Sequence, residues 1–567
     1  MIEKKTAAII ASLILGASLF SLGFYTFDKQ FHINTAEHYS EDWTSLTNWE
    51  SSVGLDLSSY SPLAHHVAAA FSYIIGTETA VNILFIIFWV LLAYNATEFF
   101  REYFGFKRFW TVYLLIFFQI GVMKKVLVYG MFTSVAGFAA GFFALRVLYK
   151  AIERNRKTDW VLFTFSYSII GYLTTFSFIL FTVAIPGFLL IESSKIDRKR
   201  LKYAALSYIG VFLLITVGLN ELVSHLFYGT GFSEQVIPHP SWAAWTELNQ
   251  RGRELWIWSS LSFSLIGFLL PAFYRKLKED GILRKSVGIY GLGVFIMLID
   301  ITGVDGLPRI LFPGVRNVMN FGRFTIMGGI ILTFFTAYIL EQAVSMIDRE
   351  KLGKSVRVAV VIFLILLNTA YIFRVHSLYH PGGIRARNSQ RPEMEEFVIE
   401  FLEDYGNRSY RFQTLGFGYR VTKLIAKTDV PMSDGEFYQG VPLEWIRDFE
   451  QQGVDVSSPE NAKEFIRRAP EINVKYIIAF NRFNQTDFSK IMEETAGEEW
   501  KKVRKEEFGP FYGTAWINTE TEPIKETPVK RSYLQTTIPI TVLILFISTI
   551  IFRWKYPEKT VEKAFQS

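Results

Sequence analysis

Residues 27 to 76 read FDKQFHINTAEHYSEDWTSLTNWESSVGLDLSSYSPLAHHVAAAFSYIIG. The stretch is polar, yet it lies between two apolar segments of membrane length, 6 to 26 and 78 to 99. That placement decides the fold class, because a polar loop held between two spans belongs to a polytopic membrane protein. The loop gathers Glu37, Glu41, Asp42, Glu50 and Asp56 with His32, His38, His65 and His66. Within it, SEDWTSLTNWESS (40 to 52) reads as a short helix with Trp43, Leu46 and Trp49 on one side, lying at headgroup level. SPLAHHVAAAFSYIIG (61 to 76) reads as a second helix, capped by Ser61, with Pro62 in its first turn and Gly76 as its stop. It is too short to span, so it is interfacial or re-entrant and must pack against protein.

The rest of the chain agrees. Of 567 residues, 50% are hydrophobic and 16% aromatic, with 53 Phe, a composition too apolar for a soluble protein of this size. Further spans are expected at 109–123, 126–147, 159–174, 176–192, 203–223, 255–274, 286–304, 324–344, 356–374 and 534–552, about twelve in all. With the N-terminus cytoplasmic, each inner connection is basic: Arg101, Lys107 and Arg108, then Arg146 to Lys157, Lys195 to Lys202, Arg275 to Lys285, Arg349 to Arg357, and Arg553 to Lys563. The least secure point is 159–192, where one long tilted helix in place of two spans would invert everything downstream. Residues 6–26 read as a signal anchor or a cleaved signal peptide, and the loop orientation is the same either way. All eight histidines then fall on the outer side. The net charge of +6 sits in these short loops and points to topology, not to nucleic acid. With no cysteine, disulfides, thiolate metal sites and cysteine nucleophiles are excluded.

Residues 376–530 are a different material, charged and periodic between two spans. RPEMEEFVIEFLEDYGN is an amphipathic helix ending at Gly406, with Met394, Phe397, Ile399, Phe401 and Leu402 on or near one face; SPENAKEFIRRAP is a second, leading into the buried strand VKYIIAF. Another helix and a hairpin around Gly509 and Pro510 follow. The expected organisation is a membrane domain over 1–375, an extracytoplasmic α/β domain over 376–530, and a last span with a cytoplasmic tail over 531–567.

Several pieces resemble the GT-C superfamily of membrane glycosyltransferases, which use polyprenyl-phosphate-linked sugars: Glu41-Asp42-Trp43, YSPLAHHVAAAFSYIIG (60 to 76), MNFGRF (319 to 324) before a late span, and NVKYIIAF (473 to 480). The resemblance in the order of parts covers nearly the whole chain; the motifs are short. It implies transfer of a sugar from a polyprenyl-phosphate donor to a glycan, lipid or protein acceptor at the outer face of the plasma membrane. Asp42 or Glu41 would be the catalytic base, or ligand to a divalent cation such as Mg or Mn. The loop has no D-x-D spacing and the C-terminal domain no WWDYG, which speaks against an oligosaccharyltransferase.

Read from the residues alone, Ser40 would cap a helix and Glu41 and Asp42 would only favour its positive end. Asp56 reads as a turn residue. His65 and His66 point about 100° apart on a helix and do not suit one metal; His38, near Glu41 and Asp42, is the better candidate ligand. Arg316, Arg323 and Lys124 are candidates for the donor phosphate, since such cations suit phosphate, and the plain alternative is that they snorkel to headgroups. No nucleotide-binding or hydrolase motif stands in a supporting context. Two other readings stay open: a transporter or lipid translocase, against which stand the lack of a six-plus-six repeat and the scarcity of mid-span charges beyond Asp300, and a non-enzymatic assembly protein whose outer domain binds glycans.

Overall fold

In a computed structural model of the protein, the residues described are 2–21, 29–45, 47–48, 55–56, 61–219, 261–302, 324–345, 350–379, 392–417, 422–433, 459–481, 486–509, 511–525 and 530–555. Each apolar segment read from the sequence is largely helical in its described part, although those at 109–123 and 126–147 are interrupted at Phe118–Gln119 and at Gly130–Met131. Helix α1 (Ile2–Ser21) is followed by α2 (Lys29–Glu41), the two-residue strands β1 (Thr47–Asn48) and β2 (Leu55–Asp56), and α3 (Leu63–Ile75). The bundle continues with α4 (Thr77–Phe104), α5 (Phe109–Phe117), α6 (Ile120–Lys124), α7 (Phe132–Arg154), α8 (Lys157–Leu173), α9 (Thr175–Ile191) and α10 (Arg198–Gly218). A 3₁₀ helix over Ser262–Phe273 runs into α11 (Tyr274–Glu279), then α12 (Leu283–Thr302), α13 (Phe324–Ser345) and α14 (Glu350–Tyr379). With the last helix, α19 (Tyr533–Lys555), seven of the described helical segments are long and apolar enough to cross a membrane.

The doubtful connection at 159–192 is a tight hairpin. Thr174 is extended, and Tyr167 and Thr182, mirrored across it, share a hydrogen bond of 2.7 Å, so α8 and α9 are two helices and not one. The segment expected as a simple span over 109–123 is broken at Phe118 and Gln119. The carbonyls that the break releases are taken up by side chains: the Trp89 indole donates to Phe117 O at 3.0 Å and Asn368 Nδ2 to Phe118 O at 2.7 Å. The Gln119 carboxamide caps α6 by accepting from Val122 N. Irregular backbone at this depth is tolerated only with such partners.

Ionic contacts collect at one end of the bundle. Buried Glu98 receives Lys5, Arg101 and Arg146, and Glu102 receives Arg146 and Lys150. Glu341 pairs with Arg357 at 2.8 Å, and Asp159 with Arg553. These residues come from the basic connections read as lying on one side of the membrane. At the other end lie the α8/α9 turn, the N-terminal ends of α7 and α13, and the loop between α1 and α4: Ser61 Oγ donates to Gly171 O at 2.6 Å, and His32 and His65 pack on Phe132. Among the described connections, the basic ones thus sit at the end opposite the α1–α4 loop and the α8/α9 turn.

The C-terminal unit is α/β. A four-stranded sheet of β3 (Arg411–Leu415), β4 (Val474–Phe480), β5 (Trp500–Phe508) and β6 (Phe511–Asn518) has the order β3-β4-β6-β5, with β3 and β4 parallel. Strand alternation on β4 feeds two cores. Ile477 and Ala479 pack with α17 (Pro459–Arg468) and α18 (Phe488–Thr495), while Tyr476, Ile478 and Phe480 pack with α15 (Pro392–Tyr405) and α16 (Thr422–Thr428). The β5–β6 hairpin turns at Gly509, whose φ of +67° only glycine adopts without strain. In α15 it is Val398, not Ile399, that completes the buried stripe.

Four local expectations are corrected. Ser40 does not cap a helix starting at Glu41; the helix ends there, and Ser40 Oγ donates back to Glu37 O. The preceding KQFHINTAEHYSE shows no clean apolar stripe, but Phe31, Ile33, Ala36 and Tyr39 are buried against neighbouring helices, so tertiary packing makes α2 where periodicity does not. The chain after it forms the β1–β2 ribbon, which places Asp56 in a strand opposite Thr47, not in a turn; Leu46 and Trp49 of the expected helix lie outside the described residues. Helix α3 begins one residue later than expected, with Pro62 at the cap position and Ser61 turned away to Gly171.

Candidate functional site

The floor of the site is the seam between α2 and α3. His32 Nδ1 and His65 Nε2 share a hydrogen bond of 2.9 Å, and His66 Nε2 meets Trp43 O at 3.0 Å beneath the stacked indole. Tyr39 packs edge-on to His66 with ring centroids 4.5 Å apart. The neighbours His65 and His66 therefore serve different partners, as their angular separation on a helix requires. Burial, with the Arg531 charge beside them, pushes both imidazoles down to about 3, so they are neutral at physiological pH.

Above that floor the C-terminal end of α2 carries the carboxylates. Asp42 Oδ1 accepts from Thr44 N at 2.9 Å and from Thr44 Oγ1 at 2.7 Å, the turn that stops the helix. Its Oδ2 lies 2.9 Å from Lys530 Nζ. Partial burial raises the Asp42 pKa, but the Thr44 bonds and the Lys530 ammonium outweigh it and hold the carboxyl below its ordinary value. Glu41 faces Arg408 at 3.5 Å, and Arg408 also reaches Asp429 at 3.3 Å. Glu37, one turn back, is pushed up by burial and then by the charges of Asp429 and Glu41.

The chain joining the α/β unit to α19 closes over this corner. Lys530 forms an antiparallel bridge with Ser45, Arg531 N donates to Thr44 O at 2.6 Å, and Arg531 Nη2 reaches Tyr39 Oη at 3.3 Å. Arg531 is itself buried. The end of α2, the α/β unit and the root of the last helix thus meet at Asp42.

Of the residues singled out from sequence, Glu41 and Asp42 are brought together at one helix end and His38 lies buried one turn before them. Lys124 ends α6, on a separate element beside the broken segment. Arg316 and Arg323 lie outside the described residues. Among the described residues no group of three or more His, Asp or Glu is placed to hold a metal ion. Asp42 and His38 do not fit a divalent cation in this arrangement, because the Lys530 ammonium already stands at Oδ2. Sequence reasoning passed over Lys530, Arg531 and Arg408, and counted Glu37 among the acids of the loop without giving it a role of its own. The signal for the first two was a dibasic pair at the end of a span where the positive-inside pattern expects none.

The fold and this corner define a polytopic membrane protein whose first loop is clasped by a C-terminal α/β unit. No family model matches the chain, and no curated protein matches its sequence. Among solved structures it is similar to ArnT from Cupriavidus metallidurans bound to undecaprenyl phosphate, with a TM-score of 0.50 over 90% of this chain and 98% of that one, at 9% identity. The likeness is one of fold, and it spans the membrane bundle and the α/β unit alike.

Proposed function

We propose that the protein is a membrane glycosyltransferase that moves a sugar from a polyprenyl-phosphate-linked donor to a glycan, lipid or protein acceptor at the outer face of the membrane. The observation that carries this reading is the near end-to-end correspondence of fold with a protein solved with a polyprenyl phosphate bound. It agrees with the GT-C resemblance of the first loop, and the acidic helix end at Glu41 and Asp42 supports it.

In the proposed reaction an acceptor hydroxyl attacks the anomeric carbon. The new C–O bond forms as the bond from that carbon to the donor phosphate breaks, and the phosphate leaves with the electron pair. The hydroxyl proton passes to a carboxylate of the α2 end, Asp42 or Glu41. Asp42 is oriented by its three donors, which fixes the place at which the proton would arrive. Lys124, Arg316 and Arg323 are proposed to meet the departing phosphate. The membrane orientation that serves this reaction puts the α2 end and the α/β unit outside, with both termini cytoplasmic.

The test is sugar transfer by the purified chain in proteoliposomes with a polyprenyl-phosphate sugar. Dependence on the polyprenyl phosphate is expected. Full activity in the double variant Asp42→Ala, Glu41→Ala would remove the site assignment, and absence of transfer across a panel of donors and acceptors would remove the function.

A further inference from the structure

We propose that Lys530 is a positioning residue for Asp42, through which the α/β unit holds the carboxylate in one orientation. This rests on the glycosyltransferase reading for its link to catalysis, but the contact itself stands on geometry. Lys530 Nζ is 2.9 Å from Asp42 Oδ2, while Thr44 fixes Oδ1 with two hydrogen bonds. A carboxylate held at both oxygens keeps a single orientation. The lysine is in turn placed by its backbone: Lys530 bridges Ser45, and the next residue donates its amide to Thr44 O.

The junction lies against the chain that carries Asp42 through this one antiparallel bridge. It lies where the α/β unit hands over to α19 (Tyr533–Lys555), so a shift of that unit on the bundle moves Lys530 relative to Asp42. The Arg408 bridge from Glu41 to Asp429 ties the same helix end to the unit a second time. The charged and titratable groups around Asp42 are Lys530 and Arg531 from the junction, Glu37, His38 and Glu41 from α2, Arg408 and Asp429 from the α/β unit facing Glu41, and His66 beneath Trp43. Only Lys530 places a full charge directly against the carboxylate among the described ion pairs. Its side chain is 60% exposed, so exchanging it does not open the core.

The experiment uses the full chain in nanodiscs. Carbodiimide labelling of Asp42 is followed by mass spectrometry across an acid pH series for the wild type, Lys530→Met and Lys530→Arg. Lys530→Met keeps the apolar stem and removes the charge. It is expected to raise the Asp42 labelling midpoint, and Lys530→Arg to restore it. An unmoved midpoint in Lys530→Met overturns the proposal, whether or not the protein transfers sugar. In the transfer assay Lys530→Met is expected to lose about tenfold in kcat with donor KM little changed, and to shift the acid limb of the pH profile upward. A shifted labelling midpoint with unchanged kcat overturns the positioning role while leaving the glycosyltransferase reading intact. Failure of transfer by the wild type counts against that reading alone, since the labelling still decides the hold of Lys530 on Asp42.

Discussion

Asp42 directly follows the last residue of α2, where its charge meets the negative end of the helix dipole unfavourably, and three donors offset that cost. If it is the base, Asp42→Ala lowers transfer about 10²–10⁴-fold, measured as kcat in proteoliposomes, while Asp42→Glu retains part of it. The buried histidines make a separate prediction. Their folded pKa of about 3 lies below the ordinary 6.5, so in the window between those values the unfolded chain binds protons that the native seam refuses. Stability therefore falls as pH drops through 6.5, by up to about 1.4 kcal/mol per pH unit for each histidine. Hydrogen exchange of residues 29–45 and 61–75 is expected to accelerate at pH 5 relative to pH 7, and replacing both histidines with Gln is expected to flatten that dependence. The Asp42 pair weakens only further down, as pH falls through its depressed carboxyl value.

At the scale of elements, the membrane segments are held by contacts that a hydropathy profile does not register. The α5–α6 break depends on Asn368, which donates to Phe118 O and accepts from Ser262 Oγ at 2.6 Å. Asn368→Leu strands both groups in an apolar setting and is expected to cost about 1–3 kcal/mol, read as a lowered melting temperature in detergent. The 3₁₀ helix over Ser262–Phe273 approaches α13 so closely that a methyl at Gly267 would fall on the Leu332 carbonyl oxygen. Gly267→Ala must push backbone apart there. A loss of about 1–3 kcal/mol is expected, against little change for Gly291→Ala, whose added carbon meets nothing within 4 Å.

At the scale of the molecule, two polar layers close the ends of the bundle. One is the ionic layer around Glu98, buried among Lys5, Arg101 and Arg146; Glu98→Ala leaves those cations without their shared partner and is expected to cost about 3–5 kcal/mol. The other is the clasp of the first loop by the α/β unit. If the fold binds a polyprenyl phosphate, that lipid stabilises the native state by mass action, about 2.7 kcal/mol at a hundredfold excess over Kd. A rise in melting temperature with polyprenyl phosphate, and none with the corresponding polyprenol, is the expected outcome.

The sequence by itself determined the class of the molecule. Membrane-length apolar runs, alternating basic connections and the charged, periodic block over 376–530 specify helices in a bilayer and an α/β unit, because hydrophobic length and period act locally along the chain. It also drew attention to Glu41 and Asp42. What they belong to was decided by the tertiary structure: α2 exists because Phe31, Ile33 and Tyr39 find burial, so the pair ends a helix where local signals make it begin one. The partners of the pair were beyond any local reading. Lys530 and Arg408 stand hundreds of residues away, and only packing of the α/β unit onto the first loop brings their charges to the carboxylates.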